Sequence, residues 1–280
     1  PLTLADESSV RRELDRIAAL GYVENLVFID DTFNVPLARF KALCRVLAEY
    51  PFRWYSYFRC SNSDAETAAL MAASGCAGVF LGLESGSSTV LGVMNKAAEI
   101  EAYHAGIADL RRSGIRTFGS FIFGFPGETE QTIRETLEFI DRAELDWFRV
   151  QPWYCEPQTP ILAKAAEFEL TGTAYRWRHR TMDASQAMDH VESAFLGVTS
   201  SAWLPQWAFD FWMFPYLEGR GIQTSQLHPW LRDANRVHRA DLRGENGPQR
   251  AELIDALVAD TESWCWRHAA DGRSRDVRGG

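Results

Sequence analysis

Short runs of β-branched and aromatic residues alternate with segments of helical periodicity along the first 165 residues, and this alternation limits the possible folds more than any other feature. The strand-like runs are NLVFID (25–30), RWYSYF (53–58), GVFLGL (78–83), TFGSFIFGF (117–125) and WFRVQPW (147–153). The helical segments cover residues 7–20, 37–50, 65–73, 100–113 and 130–143. The alternation predicts an α/β fold of parallel strands joined by right-handed crossovers, with the helices outside. A closed or partial (β/α) barrel and a doubly wound open sheet both satisfy it.

Polar residues lie at or just after the end of each of the five runs, where the predicted strand ends. In chain order they are Asp30 and Asp31, Arg59, Glu84 and Ser85, the PGET segment (126–129), and Gln151 with Tyr154. Because the carboxyl ends of parallel strands lie at one edge, these side chains are expected to line one mouth. An acid that caps the following helix would explain any single position equally well, so the prediction rests on the whole set.

The composition argues against several classes of function. A formal net charge of −9 disfavours a nucleic-acid-binding surface, which needs clustered Lys and Arg. No apolar run approaches the roughly 18 residues of a membrane span, and the first residues do not resemble a signal peptide. Five scattered cysteines without a CxxC spacing indicate free thiols. We therefore expect a cytoplasmic protein that binds neither nucleic acid nor a membrane.

The pattern changes near residue 165. We expect a barrel over residues 1–165, a helical and aromatic-rich extension over 166–270, and a disordered tail over 271–280. Aromatic residues with partly helical spacing crowd the extension; they are Trp203, Trp207, Phe211, Trp212 and Phe214. Packing against the barrel is the simpler interpretation of these rings, and a wall that faces a substrate is the alternative.

Two candidate ligand-binding turns stand out. In GLESGS (82–87), glycines flank the Glu84–Ser85 pair, so the backbone can turn tightly and approach a ligand. The Glu84 carboxylate would suit vicinal hydroxyls or an amino group. In FGFPGET (123–129), Glu128 can either serve a ligand or complement the dipole of the next helix. Phosphate-loop, GxGxxG, GxSxG and HExxH motifs are absent from the sequence.

Three motifs, taken together, resemble those of the radical S-adenosylmethionine (SAM) superfamily, and particularly of its cobalamin-binding branch. They are FIDDTFNVP (28–36), GVFLGLESGSSTVLGVMNKA (78–97) and FIFGFPGETEQTIRETLEFI (121–140). The later segments RHRTMDASQA (178–187) and WLPQWAFDFW (203–212) are similar to the extension of cobalamin-dependent methylases of natural-product pathways, including the group that methylates phosphorus. The resemblance implies a partial, TIM-type (β/α) barrel with a helical C-terminal extension.

The resemblance also implies that the mouth binds SAM. For the methionine part of SAM, the implied contacts are Asp30 and Asp31 with the amino group and Arg59 with the carboxylate. Glu84 and Ser85 would lie near the ribose, and Ile122, Gly124 and Pro126 beside the adenine. Gln151 and Tyr154 would lie near the adenine or the substrate. The cationic amino group and sulfonium would give the acid pair a counter-charge and offset part of its desolvation.

One feature of the family is missing from the sequence. The family's first strand ends in a CxxxCxxC loop whose thiolates hold a [4Fe-4S] cluster, and this chain has no such loop. Because the chain starts at Pro1, we expect it to be part of a longer protein. The first strand with the cluster loop, and a cobalamin-binding domain that is its partner, are then expected upstream.

The sequence therefore predicts part of a radical SAM enzyme that uses cobalamin to methylate an unactivated carbon or a phosphinate centre of a small molecule. Two alternatives remain open. The chain could be a degenerate, non-catalytic barrel that serves as a binding or scaffold subunit. It could also be a metal-dependent (β/α) lyase or aldolase with Asp30, Asp31 and Glu84 around Mg²⁺.

Overall fold

The central element of the fold is a six-stranded parallel sheet. The computed structural model describes residues 6–205, 210–267 and 274–276. In chain order the strands are β1 (Asn25–Phe28), β2 (Arg53–Tyr57), β3 (Cys76–Glu84), β4 (Arg116–Phe123), β5 (Trp147–Pro152), β6 (Arg178–His179), β7 (Met182–Asp183), β8 (Ala202–Trp203), β9 (Cys265–Arg267) and β10 (Ser274–Asp276). The sheet order is β1-β2-β3-β4-β5-β8, and all of its pairs are parallel. Two antiparallel pairs, β6–β7 and β9–β10, lie outside it.

Helices follow the strands in the alternation that the sequence predicts. They are α1 (Glu7–Ala19), α2 (Leu37–Leu47), α3 (Ala65–Ala73), α4 (Ser88–Val93), α5 (Ile100–Arg112), α6 (Glu130–Ala143), α7 (Ala165–Phe168), α8 (Ala184–Gly197), α9 (Met213–Gly219), α10 (Thr224–Leu242) and α11 (Pro248–Glu262). Short 3₁₀ helices cover Cys60–Asn62 and Pro160–Lys164. Side-chain caps fix several helix starts: Asp64 accepts from Thr67 N, and Thr129 accepts from Thr132 N.

Two layers of apolar side chains pack against the sheet. One face of the strands packs against α1 to α6 and α8 in a continuous core. The other, concave face is filled by the C-terminal part of the chain: Phe211 stacks on Phe118 with ring centroids 5.6 Å apart, and Phe214 lies 4.0 Å from Trp147. The sheet is therefore a partial (β/α) barrel whose interior is closed at one end by the extension.

The predicted fold class is confirmed: the chain is α/β, with a partial (β/α) barrel and C-terminal helices. All five predicted strands and the five predicted helices are found. The boundaries 1–165 and 166–270 stay a prediction. Within the described residues, no helix is both long and apolar enough to cross a bilayer.

The extension differs from its predicted helical character. Residues 202–203 form the sixth strand of the sheet, because Ala202 N donates to Asp146 O and Leu204 N donates to Phe148 O. The aromatic segment therefore does not form one helix, and Trp207 lies outside the described residues. The predicted disordered tail, 271–280, also lies outside them, except for β10, which pairs with β9.

Candidate functional site

A cavity of about 270 Å³ opens at the carboxyl-terminal ends of β1, β2 and β3, and we call this end of the barrel the rim. Asp31, Arg59 and Glu84 line this cavity together. Each of the three comes from the loop or strand end of a different strand, as the parallel topology dictates. The rim therefore brings two carboxylates and a guanidinium to one concave site.

Glu84 holds an unusual backbone conformation at the end of β3. Its φ angle is +67°, and the pairing of β3 with β4 shifts register between Gly82 and Glu84. Lys96 Nζ lies 2.9 Å from Glu84 Oε1 and also donates to Gly82 O. A Cβ atom at position 82 would lie 2.9 Å from Glu84 Oε1, so the glycine makes room for the carboxylate. Left-handed conformations of residues other than glycine recur at functional sites, where neighbouring contacts hold them.

The two aspartates after β1 have different positions. Asp31 lines the rim cavity and also an adjoining groove with Val27, Ile29, Tyr57 and Trp212. Asp30 is exposed and lines neither space.

Asn34, which the sequence did not single out, joins the loop of Asp31 to the strand end of Arg59. Its side chain is fully buried, donates to Arg59 O at 2.9 Å and accepts from Arg59 N at 3.0 Å. Lys96 was likewise missed as a site residue, although the motif that contains it was recognised.

Ser85 faces away from the cavity. It is fully buried, and its hydroxyl lies 3.1 Å from the hydroxyl of Thr136 on α6, which also accepts from Gly86 N. A Cβ atom at Gly86 would lie 2.5 Å from Phe139 Cβ, so this turn packs tightly on α6. Ser85 therefore holds the turn that carries Glu84 against a helix.

The remaining predicted contacts lie at the carboxyl ends of β4 and β5 and do not line the rim cavity. Ile122 and Gln151 are half-buried, Gly124 and Pro126 are buried, and Tyr154 is 46% exposed. The roles predicted for these residues stay predictions.

Glu128 of the PGET turn is fully buried. Its Oε2 accepts from Gly124 N at 2.5 Å, while its Oε1 has no hydrogen-bond partner among the described residues. Burial raises the pKa of this carboxyl to about 8, and the bond from Gly124 opposes that rise. The side chain closes its own turn.

The hairpin β6–β7 of the extension braces the same turn. Thr181 Oγ1 donates to Glu128 O at 2.6 Å, and His179 Nε2 lies 3.2 Å from Gly124 O. A Cβ atom at Gly124, whose φ is +91°, would lie 2.4 Å from the Trp177 ring. The sequence RHRTMD marks this hairpin, but nothing in it shows which turn the hairpin contacts.

Arg149, in the middle of β5, is a second side chain that sequence reasoning missed. Its guanidinium lies over the rings of Phe80 and Phe118, at 5.5 and 5.6 Å from their centroids. Its Nε donates to Ser120 Oγ at 3.3 Å. Burial lowers the pKa of this arginine, and the charge of Asp210 opposes the shift. Because Phe80 also lines the rim cavity, Arg149 places a positive charge just below it.

The cysteines do not fit a [4Fe-4S] cluster. In the described part of the chain, no three or more His, Cys, Asp or Glu residues are grouped to hold a metal ion. Cys44, Cys60, Cys76 and Cys155 are separate buried thiols, and burial raises the pKa of the first two to about 12, whereas cluster ligands are thiolates. The Mg²⁺ alternative gains no support either, because the ammonium of Lys96 already neutralises Glu84.

The barrel and its rim define a class of protein. The model of the radical SAM superfamily matches residues 3–140, and with the partial barrel it places the chain in that superfamily.

Similar proteins include several methyltransferases. The chain is 25% identical over 190 residues to an uncharacterized methyltransferase of Pyrococcus horikoshii, covering 66% of this chain and 41% of that protein. It is 30% identical over 148 residues to the tryptophan 2-C-methyltransferase of Streptomyces laurentii, covering 47% of this chain and 24% of that protein. The chain thus spans less than half the length of these relatives.

A solved structure extends the likeness over most of the chain. The radical SAM methyltransferase TsrM of Kitasatospora setae, with cobalamin and a [4Fe-4S] cluster bound, has a TM-score of 0.60 at 18% identity and covers 91% of this chain and 56% of that one. A second structure of that enzyme, with tryptophan and a SAM analogue, has a TM-score of 0.52 at 26% identity. It covers 58% of this chain and 33% of that one.

Proposed function

We propose that the chain is part of a radical SAM enzyme that transfers a methyl group to a small molecule with the help of cobalamin. The observation that carries this proposal is the joint position of Asp31, Arg59 and Glu84 in one rim cavity. The methyltransferase names of the relatives support the type of reaction, and the cobalamin bound in one TsrM structure supports the choice of cobalamin.

The charges of the rim suit the methionine part of SAM. In the proposal, Arg59 binds the carboxylate, Asp31 accepts from the amino group, with Asp30 beside it, and Glu84 accepts from the ribose hydroxyls. Glu84 Oε2 accepts no hydrogen bond from the described residues, so it remains for a ligand, while Lys96 holds Oε1. A charge-assisted hydrogen bond to a cationic ligand offsets part of the desolvation of each carboxylate.

The proposal places the adenine along the β4 and β5 ends, next to Ile122 and the turn of Gly124 and Pro126. This turn presents backbone groups rather than charged side chains, because Glu128 is directed into it and bonds Gly124 N. Ser85 supports the ribose side indirectly, by fixing the Glu84 turn on α6.

The proposal assigns the cluster ligands and the cobalamin-binding domain to parts of the protein other than the described residues. The cluster and cobalamin would supply the electron-transfer and methyl-carrying chemistry. The residues of this chain bind and orient SAM and the substrate, and they keep water away from the barrel interior.

Arg149 points to the charge of the substrate. The guanidinium lies on the concave face, and its only hydrogen bond within the described residues is to Ser120. We propose that a carboxylate, phosphinate or similar anionic group of the substrate pairs with it. Such a pair would compensate a half-buried cation that is costly alone.

SAM binding to the 280-residue chain tests the proposal. We expect Asp31→Asn, Arg59→Gln and Glu84→Gln each to weaken binding by about tenfold or more in equilibrium dialysis, because each removes a charge-assisted contact. The exposed Glu138→Gln on α6 is the matched control and should bind SAM like the unaltered chain. Binding that all three rim variants retain would overturn the assignment.

A second measurement separates the enzyme from the scaffold alternative. Protein produced from the complete coding region, under anaerobic conditions, should be brown and should lose its colour in oxygen. A colourless complete protein that binds no SAM would favour the scaffold.

A further inference from the structure

A large basic cleft lies far from the rim. It has a volume of about 830 Å³ and is bounded by α10, by the start of α11 and by residues 199–202, which lead into β8. Because β8 begins at this point, the cleft lies at the amino-terminal end of the parallel sheet, opposite to the rim. Five arginines line it: Arg232, Arg236, Arg239, Arg243 and Arg250.

Backbone carbonyls at the end of α8 hold three of these arginines in place. Arg239 is buried and donates from Nε to Phe195 O and from Nη2 to Val198 O, both at 2.7 Å. Arg243 and Arg232 donate from Nη2 to the carbonyls of residues 196 and 200, at 3.2 and 2.8 Å. These bonds cap the end of α8 and complement its dipole. Capping is therefore a sufficient structural reason for the positions of these three arginines.

Capping leaves these three arginines without a carboxylate partner. Within the described residues, Arg232, Arg239 and Arg243 form no ion pair with a carboxylate, and the Nη1 group of each makes no hydrogen bond. By contrast, Arg236 pairs with Asp233 and Arg250 pairs with Asp241. Burial lowers the pKa of Arg239, and the neighbouring guanidiniums of Arg243 and Arg236 lower it further. Glu245 is the one acid among the lining residues, and the three arginines without a carboxylate partner outweigh it. The cleft therefore holds an excess of positive charge in a chain whose formal net charge is −9.

Two further groups belong to the wall of the same cleft. Ser201 lines the cleft, is 2% exposed, and its hydroxyl has no hydrogen-bond partner within the described residues. The start of α11 also faces the cleft through Gly247, Pro248 and Gln249. This 15-residue helix has no side-chain cap and no acid in its first turn, so its N-terminal NH groups add positive potential.

We propose that this cleft binds the phosphate or pyrophosphate group of a small ligand. Planar guanidiniums with free Nη1 groups match phosphate oxygens, and the helix start and the Ser201 hydroxyl supply neutral donors. Beyond Arg250, the acidic residues of α11 are Glu252, Asp255, Asp260 and Glu262. Those acids repel a long polyanion, which favours a small ligand over a nucleic acid.

Titration calorimetry of the 280-residue chain with inorganic pyrophosphate tests this proposal. We expect one site per chain with a dissociation constant below about 1 mM at low salt, weakening as salt is added. The double variant Arg236→Gln/Arg243→Gln alters two exposed side chains and should weaken binding by about tenfold or more. The control Arg12→Gln/Arg45→Gln removes the same charge from exposed positions on α1 and α2 and should bind as before.

A second comparison identifies the type of ligand. Adenosine diphosphate should bind at least as tightly as pyrophosphate, whereas a short single-stranded oligonucleotide and a glutamate-rich peptide should bind more weakly. No saturable binding of pyrophosphate, equal binding by both double variants, or tighter binding of the oligonucleotide or the peptide would each overturn the proposal.

Discussion

The two ends of the barrel place a glutamate in opposite environments. At the amino-terminal end, which we call the floor, Glu218 of α9 is 4% exposed and accepts from the Tyr55 hydroxyl at 2.6 Å and from Thr224. Arg53 lies 3.2 Å from it. At the rim, Glu84 is half-exposed and has a left-handed backbone conformation, and Lys96 is its one ionic partner among the described residues.

This difference separates stability from binding. The floor joins the C-terminal α9 to strand β2 through a satisfied polar cluster, and it lies beneath the packed rings of Phe211 and Phe214. The rim leaves carboxylate and guanidinium groups open to a ligand. Changes at the floor should therefore cost folding free energy, and changes at the rim should cost affinity with little effect on folding.

The largest expected effect lies just above the floor. Phe211→Ala should lower the free energy of unfolding by about 3 to 5 kcal/mol, because it removes a fully buried ring that stacks on Phe118. Urea unfolding followed by tryptophan fluorescence measures it. Tyr216→Ala, at a 51% exposed ring in the same segment, should cost less than about 1 kcal/mol. Equal losses for both would show that the C-terminal rings do not form a core.

Removing the floor glutamate should have the next largest effect. Glu218→Ala leaves the Tyr55 hydroxyl buried without its acceptor. It should lower the free energy of unfolding by about 2 to 3 kcal/mol. Glu84→Ala at the rim serves as the matched comparison in the same unfolding measurement and should cost less than about 1 kcal/mol. A greater loss at Glu84 than at Glu218 would reverse the comparison between the two ends.

A third prediction concerns pH and the buried carboxyl of the PGET turn. The pKa of Glu128 rises from 4.5 to about 8 on burial. Its contribution to stability is therefore complete below 4.5 and is lost as the pH rises through about 8. The free energy of unfolding should fall by about 2 kcal/mol between about pH 6 and pH 8.

Glu128→Gln should remove this pH dependence, because the amide keeps an oxygen for Gly124 N but does not ionise. The exposed neighbour Glu130 provides the control, and Glu130→Gln should leave the dependence unchanged. The same slope in Glu128→Gln and in the unaltered chain would assign the pH effect to another group.

The smallest expected change in stability is at the rim itself. Lys96→Gln removes the charge beside Glu84 and should change the free energy of unfolding by less than about 1 kcal/mol, because both side chains are partly exposed. Arg111→Gln, which breaks the exposed pair with Glu144, is the control of the same type. A loss of several kcal/mol specific to Lys96 would mean that the rim also stabilises the fold.

Local sequence patterns were enough to predict the barrel, but not the partners of each side chain. The strand–helix alternation predicts β1 to β5, and the turn residues predict that Asp31 and Glu84 lie at the same edge of the sheet. Strand β8 was missed because two residues are too few to show periodicity. Its pairing depends on β5, more than 50 residues earlier in the chain.

Single side chains were harder to predict for a related reason. Arg149 alternates with apolar residues along β5, and a solvent-facing residue on a half-exposed strand would show the same pattern. Only the curved sheet shows that this side chain lies on the inner face, over Phe80. Ser85 lies next to Glu84 in a glycine-flanked turn, yet the close approach of Gly86 to α6 directs the two side chains to different neighbours. Asn34 is buried by a contact with a strand end 25 residues away, which no local pattern reveals.

The β6–β7 hairpin sets a condition for protein engineering. Because Thr181 and His179 contact the turn of Gly124 and Glu128, the C-terminal segment and that turn form one structural unit. A chimera that joins this barrel to the C-terminal segment of a relative at residue 165 would keep every strand of the first half and still break this unit. Grafts between relatives should therefore transfer the hairpin and its turn together.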